Sequence, residues 1–172
     1  QQDRYLQEKL VEKGVVDLKD LTPIRPNLSL WQGDITRLAV DAIVNAANSK
    51  LLGCFVPNHS CIDNAIHTAA GVELRLACHE LMQEQGRDET TGQAKITKAY
   101  NLPSRYVLHT VGPIIYEEVT ELEKRQLASS YEACLTLAYE KDLRSLAFCC
   151  VSTGEFRFPN EEAAKIAIET VL

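Results

Sequence analysis

DAIVNAANS, residues 41–49, is a mostly apolar run closed by Asn48 and Ser49. A short continuous apolar run bounded by turn-forming residues reads as a strand buried on both faces, the kind found in parallel sheets. Working outward, SLAFCCV at 145–151 is a second continuous apolar strand. AKITKAY at 94–100 and RYVLHTV at 105–111 form a hairpin or tight connection across Asn101-Leu102-Pro103-Ser104, and Gly112-Pro113 breaks the latter strand. LSLWQGD at 28–34 reads as a strand running into a Gly-Asp turn.

Between the strands the period changes. From Ile62 to Gln85, Ile62, Ile66, Ala69, Ala70, Leu74, Cys78 and Leu81 share one face of a single amphipathic helix, with Gly71 near its middle and Gly86 ending it. A second helix runs from about Thr120 to Lys141, with Leu127, Tyr131, Cys134, Leu135 and Ala138 inward. A last one begins near Pro159-Asn160, with Asn160 as N-cap. Ahead of everything lies a helix over Asp3–Lys13, stopped by Gly14 and followed by a loop with Pro23 and Pro26. Residues 1–27 are thus a helical extension. Residues 28–172 alternate strands and helices, which predicts a three-layer α/β domain with its ligand site at the C-terminal ends of the strands.

The 172 residues suit one domain, and 45% apolar with 24% charged residues predicts a packed core rather than a disordered chain. A formal charge of −6, with 18 scattered Lys and Arg against 24 Asp and Glu, argues against a nucleic-acid surface. No stretch approaches the roughly 18 apolar residues of a membrane span, and QQDRYLQEKL is not a signal peptide. These features predict a cytoplasmic protein, and the lack of heptads predicts a monomer.

GCFVPNHSC at 53–61 is the densest chemical signal, with Cys54, His59 and Cys61 within eight residues. Two thiolates and an imidazole are ligands that Zn2+ prefers, and three ligands leave an open position for catalysis. A loop histidine beside two half-buried thiols is an equal alternative. Asp34, after Gly33, suits an exocyclic amine such as that of adenine, or simply caps a turn. Asn45 and Asn48 end a buried strand, where amides need backbone or ligand partners. Asp63 and His67 share a helix face next to Cys61, so Asp63 is a candidate base as well as a helix-capping residue. Ser152-Thr153-Gly154-Glu155-Phe156 joins a strand to a helix, and its backbone N–H groups could cradle a pyrophosphate without basic side chains. Cys149 and Cys150 point to opposite faces and read as core residues, as does Trp31.

Taken in order, GDIT at 33–36, DAIVNAANSKLLG at 41–53, IDNAIHTAAG at 62–71, HTVGP at 109–113 and STGEFRFP at 152–159 resemble the macrodomain family. CFVPNHSC, where most macrodomains carry a glycine run, is similar to the zinc-containing branch that removes mono-ADP-ribose from proteins and occurs beside lipoylation enzymes. The resemblance implies a mixed central sheet between helical layers. It puts Asp34 and Ile35 at adenine, Asn45 and Asp63 at the distal ribose as the catalytic pair, and Asn48 among the substrate contacts. Ser152, Thr153, Gly154, Glu155 and Phe156 would wrap the diphosphate, Phe156 also packing on the distal ribose, with Gly112 closing the far wall. Zinc would sit on Cys54, His59 and Cys61. The implied partners are ADP-ribose and a mono-ADP-ribosylated protein, with a lipoyl-carrier protein as the associated candidate. The alternatives are a binding module that reads ADP-ribose without cleaving it, an O-acetyl-ADP-ribose deacetylase, or an ADP-ribose 1″-phosphatase. Glu155 departs from the family's small or apolar residue and could oppose an anionic diphosphate. The family pattern also continues with a strand and helix beyond the last helix read here.

Overall fold

The computed structural model describes residues 1–172. Its centre is a four-stranded mixed sheet. In chain order the long elements begin with α1 (Gln2–Lys13), followed by the short strands β1 (Val16–Asp17), β2 (Pro23–Arg25), β3 (Leu28–Ser29) and β4 (Leu38–Ala39). Then come β5 (Ala42–Ala46), α2 (Ile62–Ala70), α3 (Val72–Gln85), β6 (Ala94–Lys98), β7 (Tyr106–Thr110), α4 (Glu121–Glu140), β8 (Leu146–Ala147) and α5 (Asn160–Val171). The sheet order is β6-β7-β5-β8, with β5 parallel to both β7 and β8 and only β6 antiparallel.

Alternation along β5 divides the core into two layers. Ile43 joins Val107, Ile66, Leu74 and Cys78 on the side of α2 and α3, whereas Ala42 and Val44 join Leu108, Leu127, Tyr131 and Phe158 on the side of α4 and α5. Asp41 fixes the start of this strand: its carboxylate accepts from the backbone N–H groups of Arg144 (2.7 Å) and Ser145 (3.1 Å), while Arg105 Nη1 reaches it at 3.0 Å. Burial alone would raise the Asp41 pKa, but these bonds outweigh it and hold the carboxyl below its ordinary value. Thr120 caps α4, accepting from Leu122 N–H, and Glu123 accepts from Thr120 N–H in return.

The structure departs from the sequence pattern in six places, the first being Cys150, expected in the core and found exposed. The helix expected over 62–85 is two helices, because Gly71 adopts φ 94°, ψ 178°, a conformation closed to side-chain-bearing residues in a helix. The strand expected over 28–34 shrinks to β3, and the chain bends at Gly33, over which the Trp31 ring lies. The strand expected over 145–151 shrinks to β8, because Val151 N–H curls back to the Cys149 carbonyl and Ser152 takes a φ of 64°. Pro23 is not in a loop but starts β2, which pairs with β3 in a small hairpin. Asn160 is the first residue of α5 rather than its cap; Pro159 precedes it and no side chain caps the end.

The N-terminal helix docks at the break between α2 and α3. Gln2 Oε1 accepts from Val72 N–H (3.0 Å), and Asn101 is held by Gln7 and by Asp3 (2.7 Å). A Cβ on Gly71 would meet Leu6 Cδ1 at 3.0 Å. Gly71→Ala is therefore expected to cost about 1–3 kcal/mol of stability from backbone strain, read as a lower midpoint in urea unfolding; an unchanged midpoint would contradict the need for glycine here.

Candidate functional site

The carboxyl ends of β5, β7 and β8 point the same way, so the loops that follow them gather at one edge of the sheet. Asn45 on β5 is fully buried and stands in register with His109 on β7. Its Nδ2 donates to Asp63 Oδ1 (2.8 Å), in the first turn of α2, and approaches His109 Nδ1 (3.2 Å). Its Oδ1 is buried without a partner. Asn48 Nδ2 reaches the other Asp63 oxygen (3.4 Å) and the Gly53 carbonyl (3.2 Å). Burial pushes the Asp63 carboxyl above the ordinary carboxylate range, against the pull of the Asn45 bond and the Arg75 charge. Burial holds His67 near a pKa of about 4. Its Nε2, 3.5 Å from Asp63 Oδ1, thus belongs to a neutral ring and makes no ion pair.

The second cluster of the site is the 54–61 loop. The candidate ligand atoms of Cys54, His59 and Cys61 all lie within 4.8 Å of one another, with Cys54 Sγ 3.5 Å from His59 Nδ1. Cys61 Sγ also accepts from Asn64 N–H (3.4 Å) as the N-cap of α2. Two thiols and an imidazole converging on one point can hold zinc. The other nitrogen of His59, Nε2, faces Glu155 Oε1 at 3.2 Å. A carboxylate on the far nitrogen of a metal-binding histidine is the usual device for fixing that ring. Glu155 thus leans toward the His59 loop. A different triplet, His67, Cys78 and His109, is also close-packed, but both His109 nitrogens already have partners in Asn45 and Thr97.

The 152–158 turn closes the edge. Phe158 N–H bonds the Ser152 carbonyl (2.9 Å), Arg157 N–H bonds the Gly154 carbonyl (3.0 Å), and Thr153 Oγ1 bonds the Cys150 carbonyl (2.9 Å). Ser152 Oγ is buried and unpaired, and the space beside Gly154 where a Cβ would stand is open. Phe156 is half-buried, and its carbonyl accepts from Ile115 N–H (2.8 Å), tying this turn to the loop after β7. Gly112 on that loop packs so closely that a Cβ would lie 2.0 Å from Ser152 Oγ. Asp34 spends Oδ1 on Thr36, at the backbone N–H (3.0 Å) and the hydroxyl (2.6 Å), while Oδ2 faces Lys13 (3.3 Å). Ile35 is core, against α2.

Three loops are therefore joined to each other, and buried polar atoms without partners remain among them: Asn45 Oδ1, Ser152 Oγ and both ring nitrogens of His67, whose ring packs against Gly53. A family model, Macro domain, matches residues 44–167, which span all of these loops except the 33–37 turn. This chain belongs to the macro domain family. Similar proteins include the protein-ADP-ribose hydrolase of Treponema medium, 56% identical over 99% of this chain and 67% of that protein. The protein-ADP-ribose hydrolase of Staphylococcus aureus (strain MRSA252) is 55% identical over 99% of this chain and 64% of its own length. The chain thus spans about two thirds of these relatives. Among solved structures, a Trypanosoma brucei macrodomain in complex with ADP-ribose aligns with a TM-score of 0.77 at 38% identity, over 91% of this chain and 63% of that one.

Within this macro domain, the expected residues Asn45, Asn48, Asp63, Cys54, His59, Cys61, Gly112 and the 152–156 turn lie in one linked edge, whereas Asp34 is tied to its own turn and to α1. His109 is the member that sequence reasoning left out: its motif HTVGP was visible, but its strand is buried on both faces, so no alternation showed which side the imidazole takes. Gly112→Ala must displace Ser152 and should cost about 1–3 kcal/mol by overpacking, measurable by thermal unfolding; wild-type stability would show that the 151–152 segment yields freely.

Proposed function

We propose that this macro domain is the catalytic part of a zinc-dependent hydrolase that removes mono-ADP-ribose from modified proteins and releases ADP-ribose. The observation that carries the reading is the buried Asn45–Asp63 pair, with an unpaired amide oxygen, beside the converging thiols and imidazole of Cys54, Cys61 and His59. The relatives that are 55–56% identical across 99% of the chain, and bear the name protein-ADP-ribose hydrolase, support it. So does the fold's likeness to a macrodomain in complex with ADP-ribose.

In this reading the adenine end lies toward Asp34 and Ile35. The turn from Ser152 to Phe156 holds the diphosphate through backbone N–H groups, which suits a chain of net charge −6 because no basic side chain is required. Gly112 leaves room for that turn, and Phe156 offers an apolar face to the distal ribose. Asn45 Oδ1 accepts a hydroxyl of that ribose, Asn48 steadies the Asp63 carboxylate, and Asp63 orients the attacking water. Zinc on Cys54, His59 and Cys61 would supply a Lewis acid that polarises an oxygen of the linkage. One water is consumed: its hydroxyl ends on one product and its hydrogen on the other, freeing ADP-ribose and the unmodified side chain. The reading includes a cytoplasmic monomer as the working form and a lipoyl-carrier protein as acceptor; no helix is long and apolar enough to cross a membrane.

The test is a time course of free ADP-ribose released from a mono-ADP-ribosylated lipoyl-carrier protein, with and without chelator. Chelator-sensitive release is expected. Release that ignores the chelator would make the metal structural, and ADP-ribose binding without release would leave a reader. His59→Ala and Cys61→Ala should lose both metal and turnover while still binding ADP-ribose, as followed by metal analysis and calorimetry; full turnover in either metal-free variant would overturn the zinc role. Glu155→Ala should weaken zinc retention by about tenfold or more, measured by competition with a chelating dye, because His59 Nε2 loses its partner.

A further inference from the structure

Behind Asn45 lies a chain of buried polar groups that never reaches the ligand edge. Asn45 Nδ2 approaches His109 Nδ1 (3.2 Å), and His109 Nε2 lies 2.9 Å from Thr97 Oγ1 on β6. His109 is fully buried and Thr97 nearly so. The register brings them together: Asn45 stands opposite His109 on the parallel neighbour, while Thr97 stands opposite Val107, two residues before His109 and on the same face.

The chemistry of the partners sets each hydrogen. The Asn45 group that faces Asp63 must be the amide NH2, since the carbonyl oxygen there would meet a carboxylate with two acceptors and no hydrogen. The second hydrogen of that NH2 points to His109, so Nδ1 must present a lone pair. Burial keeps the ring neutral, with its pKa pulled down to about 3, so its single N–H sits on Nε2. That hydrogen goes to Thr97 Oγ1, with Cys78 Sγ a longer neighbour at 3.6 Å. The consequence appears at the far end, where Asn45 Oδ1 is turned away from Asp63 and His109 and left unpaired.

We propose that His109 and Thr97 are positioning residues: the Asn45 NH2 held by Asp63 requires a lone pair on His109 Nδ1, Thr97 Oγ1 accepts the Nε2–H that follows, and the pair holds the Asn45 amide with its oxygen presented to the distal ribose. The inference rests on the reading of Asn45 as a ribose contact. Neither residue touches the ligand; both act through Asn45. With Thr97 unable to accept, the buried Nε2–H keeps only Cys78 Sγ at 3.6 Å, and the ring proton competes for Nδ1, where it opposes the Asn45 NH2 and turns the amide.

Thr97→Val keeps the side-chain shape and removes the acceptor, and Thr97→Ser restores it. Three readouts decide the matter on the full chain: long-range nitrogen–proton NMR of the His109 ring, ADP-ribose affinity by calorimetry, and turnover at saturating substrate. The wild-type and Thr97→Ser proteins should carry the His109 proton on Nε2. Thr97→Val should shift the His109 proton toward Nδ1 and lose about tenfold or more in affinity and turnover, of the order found when the hydrogen-bond partner behind a metal-ligating side chain is removed. A purely structural Thr97 would lower the unfolding temperature yet leave tautomer and affinity unchanged in the folded protein, which would overturn the proposal, as would an Nδ1 proton in the wild type. Should the wild type bind ADP-ribose without releasing it, the hydrolase reading fails while tautomer and affinity still judge the relay. Absence of ADP-ribose binding by the wild type would overturn both.

Discussion

The hydrogen bond from Asn45 Nδ2 to Asp63 Oδ1, 2.8 Å long and shut away from water, is the constraint on which the arrangement of the site depends. It ties the central strand β5 to the first turn of α2, and so fixes where that helix begins relative to the sheet. A buried carboxylate and a buried amide are each costly without partners, and pairing them offsets that cost only in one orientation. The loop before α2 must then deliver Cys61 to the helix cap and bring Cys54 and His59 beside it. The convergence of two thiols and an imidazole in the loop is therefore inherited from a bond in the core.

The same logic extends across the edge of the sheet. Gly112 lets the loop after β7 touch Ser152, Phe156 ties the 152–158 turn back to Ile115, and Glu155 meets His59. The feature that looked unfavourable in the sequence, a carboxylate in a loop read as binding an anion, has a partner of its own in His59 of the 54–61 loop. The two chemical halves of the site, one suited to a metal and one to an anion, thus share a contact. Backbone amides rather than lysines would suit an anion in that half, in keeping with a chain of net charge −6.

Much of this was legible in the sequence. The apolar run at 41–49, the helix over 120–141 and the 94–111 hairpin follow from hydrophobic period and turn chemistry, and the structure keeps them. The ordered motifs pointed to the family. What escaped was set by backbone geometry at single residues and by tertiary contact. Gly71 splits a helix whose apolar spacing runs through the break, Ser152 at positive φ ends an apolar strand early, and Trp31 folds over Gly33 where alternation suggested a longer strand. His109 escaped because strand β7 is buried on both faces, so no alternation marks the side on which a polar ring lies. The partnership of Glu155 with His59 joins residues 96 positions apart, which local pattern does not register.

The most direct measurement is a crystal structure of the chain grown with ADP-ribose and zinc, with the metal located by anomalous scattering. The account predicts zinc on Cys54, His59 and Cys61, a distal ribose hydroxyl within hydrogen-bonding distance of Asn45 Oδ1, and the diphosphate against the backbone of residues 152–156. A distal ribose bound away from Asn45, or a metal bound elsewhere with those three side chains free, would contradict it.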